Sequence, residues 1–433
     1  MIFKRLKLLL NRDIFKATSI YTLSGILTKA IPFLLLPVFT HYLSASDYGI
    51  ISLVSSSILA LIPFINLGIT DLVTIESKKR GQDSYKTFEG TALTASLVFC
   101  LFTSLLAIIF TKYFSSLTTL PAICVLLIPV LTYFNFCNDL LVTIVRNDEK
   151  RVLYVVLNVL KTSIELGLAV ILIVGFKMQW MGRIDGMLFT GSLFSIFLFY
   201  YIFKNRKLKL NLNSDNLRSI AKFGVATIPL YFMIFSLYNA DKFMISKILN
   251  SKEKVGLYTI AFQIGYIINV FETAFYTAFL PKLYDWLKEN SGTAKIKIVK
   301  SIYISTSFMV FAGIGLYIFA PLLYRFFIDA KYNSSLDLLP YFIISFVLWN
   351  VFASLLPIIF YFKKTHYLFY INMATISVNL VSLYFFTKWF GLVGACYSNI
   401  LSFSFLIIII SFFANKTYRL PWLYFFSTSK SSI

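Results

Sequence analysis

The sequence predicts an all-α integral membrane protein that crosses the bilayer twelve times. Three observations carry that prediction. The chain has 433 residues, of which 58% are hydrophobic and only 14% charged, whereas a soluble domain is about a quarter charged and under half apolar. Its apolar residues fall into runs of about twenty or more, the length a helix needs to cross the hydrocarbon core. Its basic residues alternate between loops as the positive-inside rule requires. With the N-terminus inside, 28 of the 40 Lys and Arg fall on the cytoplasmic side and 8 outside. The other four, Lys29, Lys161, Lys242 and Lys247, lie within spans. A wrong span count would move every later loop to the other face and destroy this alternation.

The twelve predicted runs lie near 18–43, 49–72, 90–111, 120–145, 152–176, 184–203, 223–249, 256–281, 301–324, 338–362, 367–387 and 391–414. The N-terminal stretch MIFKRLKLLLNRD is basic. It precedes an apolar run longer than a signal-peptide core, so the first run reads as a retained helix. The longest loops, after spans 6 and 8, are cytoplasmic and short, which leaves no room for a soluble domain. The tail TYRLPWLYFF is aromatic and reads as interfacial. Both termini are expected in the cytoplasm.

An internal echo divides the chain. HYLSASDYGIISLVSS and SKILNSKEKVGLYTIAFQ share a Leu, a short polar turn and a Gly opening the next helix, and Gly49 and Gly256 are 207 residues apart. An even number of spans per half makes the repeat parallel. The expected organisation is an N-terminal lobe over 1–203, a cytoplasmic linker over 204–222, a C-terminal lobe over 223–414 and a cytoplasmic interfacial tail over 415–433.

Composition also excludes. The net charge of +21 forms short clusters and no basic domain, which argues against nucleic acid. Cys100, Cys124, Cys137 and Cys396 sit in apolar runs without metal-ligand spacing, and His41 and His366 lack a second ligand at helical spacing. No cofactor is expected. No phosphate-binding Gly-rich loop and no nucleophile with a base is present, so the chain reads as a transporter and not as an enzyme, its energy drawn from an ion gradient, a partner protein or the substrate's own gradient.

What remains is charge inside the membrane. A charge at the centre of a spanning helix costs about 2.5–3.5 kcal/mol, so such residues usually face a bundle interior or water and mark a pathway. Lys29, Asp139, Lys161, Glu165, Asp241, Lys242 and Glu272 all lie within spans. Asp71 and Arg146 sit at cytoplasmic ends, within reach of headgroups. Lys161 and Glu165 share a helix face and either neutralise each other, or Glu165 exchanges a proton or sodium ion while Lys161 tunes it. Asp241 and Lys242, adjacent in sequence, point apart. Lys29 has no acid within one turn; its partner is an acid on another helix or a substrate phosphate. Pro32, Pro37, Pro63, Pro129, Pro229 and Pro357 break helical hydrogen bonding within spans, either kinking helices around a cavity or standing as ordinary membrane-helix prolines.

The stretches TSIYTLSGILTKAIPFLLLPVFTHYLSASDYGIISLVSSS and NADKFMISKILNSKEKVGLYTIAFQIGYII, with RFFIDAKYNSSLDLLPYF before span 10, resemble the Wzx-type flippases. These export O-antigen or capsule repeat units and belong to the multidrug/oligosaccharidyl-lipid/polysaccharide (MOP) superfamily. The resemblance covers nearly the whole chain, and Asp241-Lys242 stands where that family carries an acid followed by a base. It implies a MATE-like fold, two six-helix lobes around a cationic cavity, in the bacterial inner membrane. It implies an oligosaccharide on undecaprenyl pyrophosphate as substrate, moved between leaflets with H+ or Na+, and a polymerase and chain-length regulator as pathway partners. On that reading Lys29, Lys161, Lys242 and Arg146 hold the substrate, and Glu165, Asp241, Glu272 and Asp139 couple the ion. A multidrug antiporter of the same superfamily would prefer an acidic cavity, and an O-antigen polymerase or ligase a large external loop.

Overall fold

The computed structural model describes residues 24–206, 213–364 and 366–422, apart from residue 26. Within them the chain is helical and contains no strand. Ten segments among the described residues are long and apolar enough to cross a membrane. The protein is a multi-pass membrane protein. Residues 24, 25 and 27–34 lead helically into α1 (Leu36–Tyr42), and the start of the first predicted span lies outside the described residues. The longest segment, 366–417, covers both of the last two predicted spans, with Gly391 at φ 62°, ψ −135° between them.

The chain divides into two compact units, residues 1–228 and 229–433. The first contains α1, α2 (Ala45–Asn66), α3 (Ile69–Lys79), α4 (Gln82–Ile109), α5 (Thr111–Thr118), α6 (Ala122–Asn147), α7 (Arg151–Val170) and α8 (Gln179–Arg206). A π-helical turn, Ile171–Gly175, ends α7. Helix α9 (Ser214–Tyr238) carries the division at Pro229. The second unit continues through α10 (Ala240–Ile248), α11 (Lys252–Gly265), α12 (Ile267–Glu289) and α13 (Gly292–Phe327). A 3-10 segment, Ala330–Leu338, then leads into α14 (Leu339–Tyr361) and α15 (His366–Thr417).

Local chemistry sets the helix ends. Ser44 caps α2 by accepting from Asp47 N while the Asp47 carboxylate accepts from Ser44 N, a reciprocal box that satisfies two otherwise orphaned donors. Ser251 caps α11 by accepting from Lys254 N. Each capping serine precedes its buried glycine, Gly49 or Gly256, by five residues. The echo seen in the sequence is thus repeated in local geometry. Between α2 and α3, Leu67 and Gly68 turn left-handed (φ 47° and 67°). A Cβ on Gly68 would meet the Phe223 ring at 2.7 Å, so this tight bend needs glycine.

Lipid as solvent inverts the usual distribution of polarity. Large apolar side chains such as Phe311 (72% exposed) and Ile408 (67%) face outward. Ser56, Thr190, Ser305 and Asn379 are fully buried. The first core gathers Val73, Phe88, Leu141 and Leu198; the second gathers Leu283, Ile298, Leu355 and Leu406.

Candidate functional site

The first unit concentrates charge where α6, α7 and α8 meet. Helix α8 begins at Gln179, five residues before the predicted span, so Arg183, expected in an external loop, is helical. Two glycines on α8, Gly182 and Gly186, face α7. A Cβ on Gly182 would lie 3.0 Å from the Leu172 and Ile173 side chains, and one on Gly186 3.0 Å from the Glu165 carbonyl. Small residues four apart let membrane helices approach closely. That approach sets Arg183 beside Glu165, with Nη1 2.8 Å from Oε1. The contact is a close ion pair whose angle falls outside that of a hydrogen bond. Gly191, further along α8, gives α6 the same close access, since a Cβ there would meet Phe134 at 2.7 Å.

Glu165 also faces Lys161 on its own helix, Nζ to Oε2 at 3.7 Å. Lys161 Nζ donates to Asn135 Oδ1 on α6 at 3.4 Å, a long hydrogen bond. One turn along α6, Asp139 is exposed yet close enough to act electrostatically on Lys161. Asp139, Lys161, Glu165 and Arg183 therefore form a chain of alternating sign. The three members of the ion-pair cluster, Lys161, Glu165 and Arg183, have side chains 19%, 14% and 16% exposed, shielded but not sealed.

The second unit carries a buried polar cluster built on a broken helix. Span 7, predicted as one helix over 223–249, is interrupted at Asn239 (φ −141°, ψ −23°). Non-helical backbone at membrane depth is tolerated where protein surrounds it. The break places Asp241 and Lys242 in the first turn of α10, both buried. Asp241 Oδ1 accepts from Lys242 N at 2.8 Å, and Oδ2 accepts from Tyr258 Oη at 2.5 Å and Asn399 Nδ2 at 3.3 Å. The Lys242 ammonium turns away, donating to Asn239 Oδ1 at 3.0 Å and lying 5.3 Å from the Phe262 ring centre. Asn399 Oδ1 is buried without a hydrogen-bond partner. A second buried chain joins Ser236 and Ser402 to Asn379, with Ser236 Oγ donating to Oδ1 at 2.7 Å and Nδ2 donating to Ser402 Oγ at 3.0 Å.

The remaining candidates stand elsewhere. Lys29 is exposed. Arg146, exposed in the last turn of α6, donates from Nη2 to Thr74 Oγ1 at 3.4 Å. Glu272 on α12 is buried and accepts from Asn269 Nδ2 at 3.3 Å. The structure thus joins Lys161 and Glu165, with Asp139 near them on α6 but not in contact, and sets Asp241 and Lys242 in one buried cluster. It adds Arg183 and Tyr258, which sequence reasoning passed over. The spacing Gly182-x-x-x-Gly186 was the legible sign of a close helix pair around Arg183; nothing in the sequence singles out Tyr258.

A family model described as polysaccharide biosynthesis protein matches residues 14–285. No curated protein matches the sequence. Among solved structures, the chain is similar to the lipid II flippase MurJ in an inward closed conformation, with a TM-score of 0.74 at 14% identity, covering 93% of this chain and 87% of that one. It is similar to a multidrug resistance MATE family transporter of the MOP superfamily in its inward-facing conformation, with a TM-score of 0.69 at 14% identity, covering 90% and 98%. A MOP superfamily transporter from Pyrococcus furiosus, described as having a binding pocket of reversed polarity, is similar with a TM-score of 0.58 at 14% identity, covering 93% and 96%. The fold is that of these all-α membrane transporters.

Proposed function

The chain belongs to the polysaccharide biosynthesis protein family, and from that premise we propose that it flips an undecaprenyl-pyrophosphate-linked oligosaccharide from the cytoplasmic to the outer leaflet of the bacterial inner membrane. The product would serve O-antigen or capsule assembly, where a polymerase and a chain-length regulator act next. The single observation that carries this reading is the half-buried cation pair Lys161 and Arg183 in a transporter fold. A pyrophosphate needs cations, and cations shielded from water bind phosphate more strongly than solvated ones. Lys29, Lys161 and Arg146 are the proposed phosphate contacts on this reading, with Lys242 on the same list but held by Asn239.

Transport is proposed to draw on a proton or sodium gradient. Asp241, Glu165, Glu272 and Asp139 are the candidate carriers. Asp241 has the environment that best fits such a role: a buried carboxylate beside the unpartnered amide oxygen of Asn399.

The rival is a multidrug antiporter with this fold. Its cationic substrates would need a free acid, whereas Glu165 already faces both Lys161 and Arg183. Deletion of the gene separates the two readings. Flippase loss should abolish surface polysaccharide and accumulate lipid-linked oligosaccharide on the cytoplasmic side. Unchanged surface polysaccharide with increased drug sensitivity would replace this reading by the antiporter.

A further inference from the structure

Two cations compete for one carboxylate in the first unit, and the geometry ranks them. Arg183 Nη1 lies 2.8 Å from Glu165 Oε1, in direct contact. Lys161 Nζ lies 3.7 Å from Oε2, beyond hydrogen-bonding distance, and its other contact, to Asn135, is long at 3.4 Å. Asp139, the other acid near Lys161, is outside ion-pair distance and exposed. Among the described residues the ammonium is therefore held only loosely, while the guanidinium is held closely. Attraction between shielded charges falls with distance and rises as water is excluded, so the closer cation takes most of what the carboxylate offers.

We propose that Arg183 is a positioning residue: by occupying Glu165 it keeps Lys161 from collapsing into a closed salt bridge, and so keeps the Lys161 ammonium available to a phosphate-bearing ligand. This rests on the phosphate-binding role proposed above for Lys161. An i,i+4 Lys–Glu pair on an isolated helix would close on itself. Here the hairpin of α7 and α8, drawn together at Gly182 and Gly186, supplies a second base to prevent it. Without Arg183, Glu165 has one cation left, on its own helix one turn away, and Lys161 swings from Asn135 to meet it. The ligand then has to break that pair before it binds. A guanidinium suits the positioning task because it is always charged.

The test is binding of farnesyl pyrophosphate, a soluble isoprenoid pyrophosphate, to the detergent-solubilised full chain, with farnesol as the uncharged control. The wild type should bind the pyrophosphate and not the alcohol. R183Q should bind it about tenfold more weakly, with R183K close to wild type. The double variant E165Q/R183Q should return to within about threefold of wild type, because no carboxylate remains to capture Lys161. A merely structural role for Arg183 would not allow that rescue. E165Q alone should bind at least as well as wild type, which keeps the test decisive if R183Q fails to fold. K161Q should lose binding in every background. Wild-type affinity in R183Q, no recovery in the double variant, or loss of binding in E165Q would overturn the positioning role. Equal binding of alcohol and pyrophosphate by the wild type would instead overturn the phosphate-binding reading on which it stands.

Discussion

An ionised side chain at the centre of a spanning helix costs about 2.5–3.5 kcal/mol, and the two units meet that cost differently. In the first, Lys161, Glu165 and Arg183 offset one another while staying partly accessible. In the second, Asp241 is enclosed and satisfied by Tyr258, Asn399 and the Lys242 amide. Lys29 belongs to neither arrangement: it is exposed, with no acid within a turn on its own helix. If it contacts pyrophosphate, Lys29→Ala should abolish surface polysaccharide at unchanged protein level, and normal polysaccharide would reject that role. At this scale the sequence was partly legible. The i,i+4 geometry made Lys161 and Glu165 neighbours with no other information. Arg183 stayed hidden because charge counting assigned it to a loop, and only a helix beginning at Gln179 places it against Glu165. Tyr258 stayed hidden because a tyrosine in an apolar run reads as packing, and its hydroxyl finds Asp241 through tertiary contact alone.

Helices in this protein are as informative where they break as where they run. The α7–α8 hairpin depends on two glycines whose missing side chains set the helix separation. Gly186→Leu should force α8 away from the Glu165 carbonyl and, as an overpacked contact, lower stability by about 1–3 kcal/mol. Thermal unfolding of the detergent-solubilised chain measures this, and an unchanged midpoint would show the contact to be looser than 3.0 Å implies. The interruption at Asn239 lets Asp241 and Lys242 enter the interior at the start of a new helix. Hydropathy runs cannot show such breaks, because Asn239 is a single residue within a run that averages apolar. The same averaging hid the Tyr266 junction between α11 and α12. Pro63, Pro129 and Pro357 all lie inside continuous helices, where neighbouring helices and side chains can satisfy the freed backbone groups.

For the molecule as a whole, the physics of the bilayer made the fold class readable. Twenty apolar residues between basic turns leave a chain few options beyond spanning helices, and the all-α transporter fold follows from that pattern. The polysaccharide family follows from residues 14–285, while the fold reaches across nearly the whole chain to transporters only 14% identical. Such distance separates what a fold fixes from what a site decides. The fold is shared with membrane transporters; the anionic cargo proposed above rests on the half-buried cations beside Glu165. Direct observation of transbilayer movement tests this account most closely. With the purified chain in vesicles holding undecaprenyl-pyrophosphate-linked oligosaccharide in the inner leaflet, sugar should become accessible to an external lectin faster than in protein-free vesicles, and faster again under an imposed proton or sodium gradient. Appearance of sugar at the protein-free rate, with and without either gradient, would contradict it.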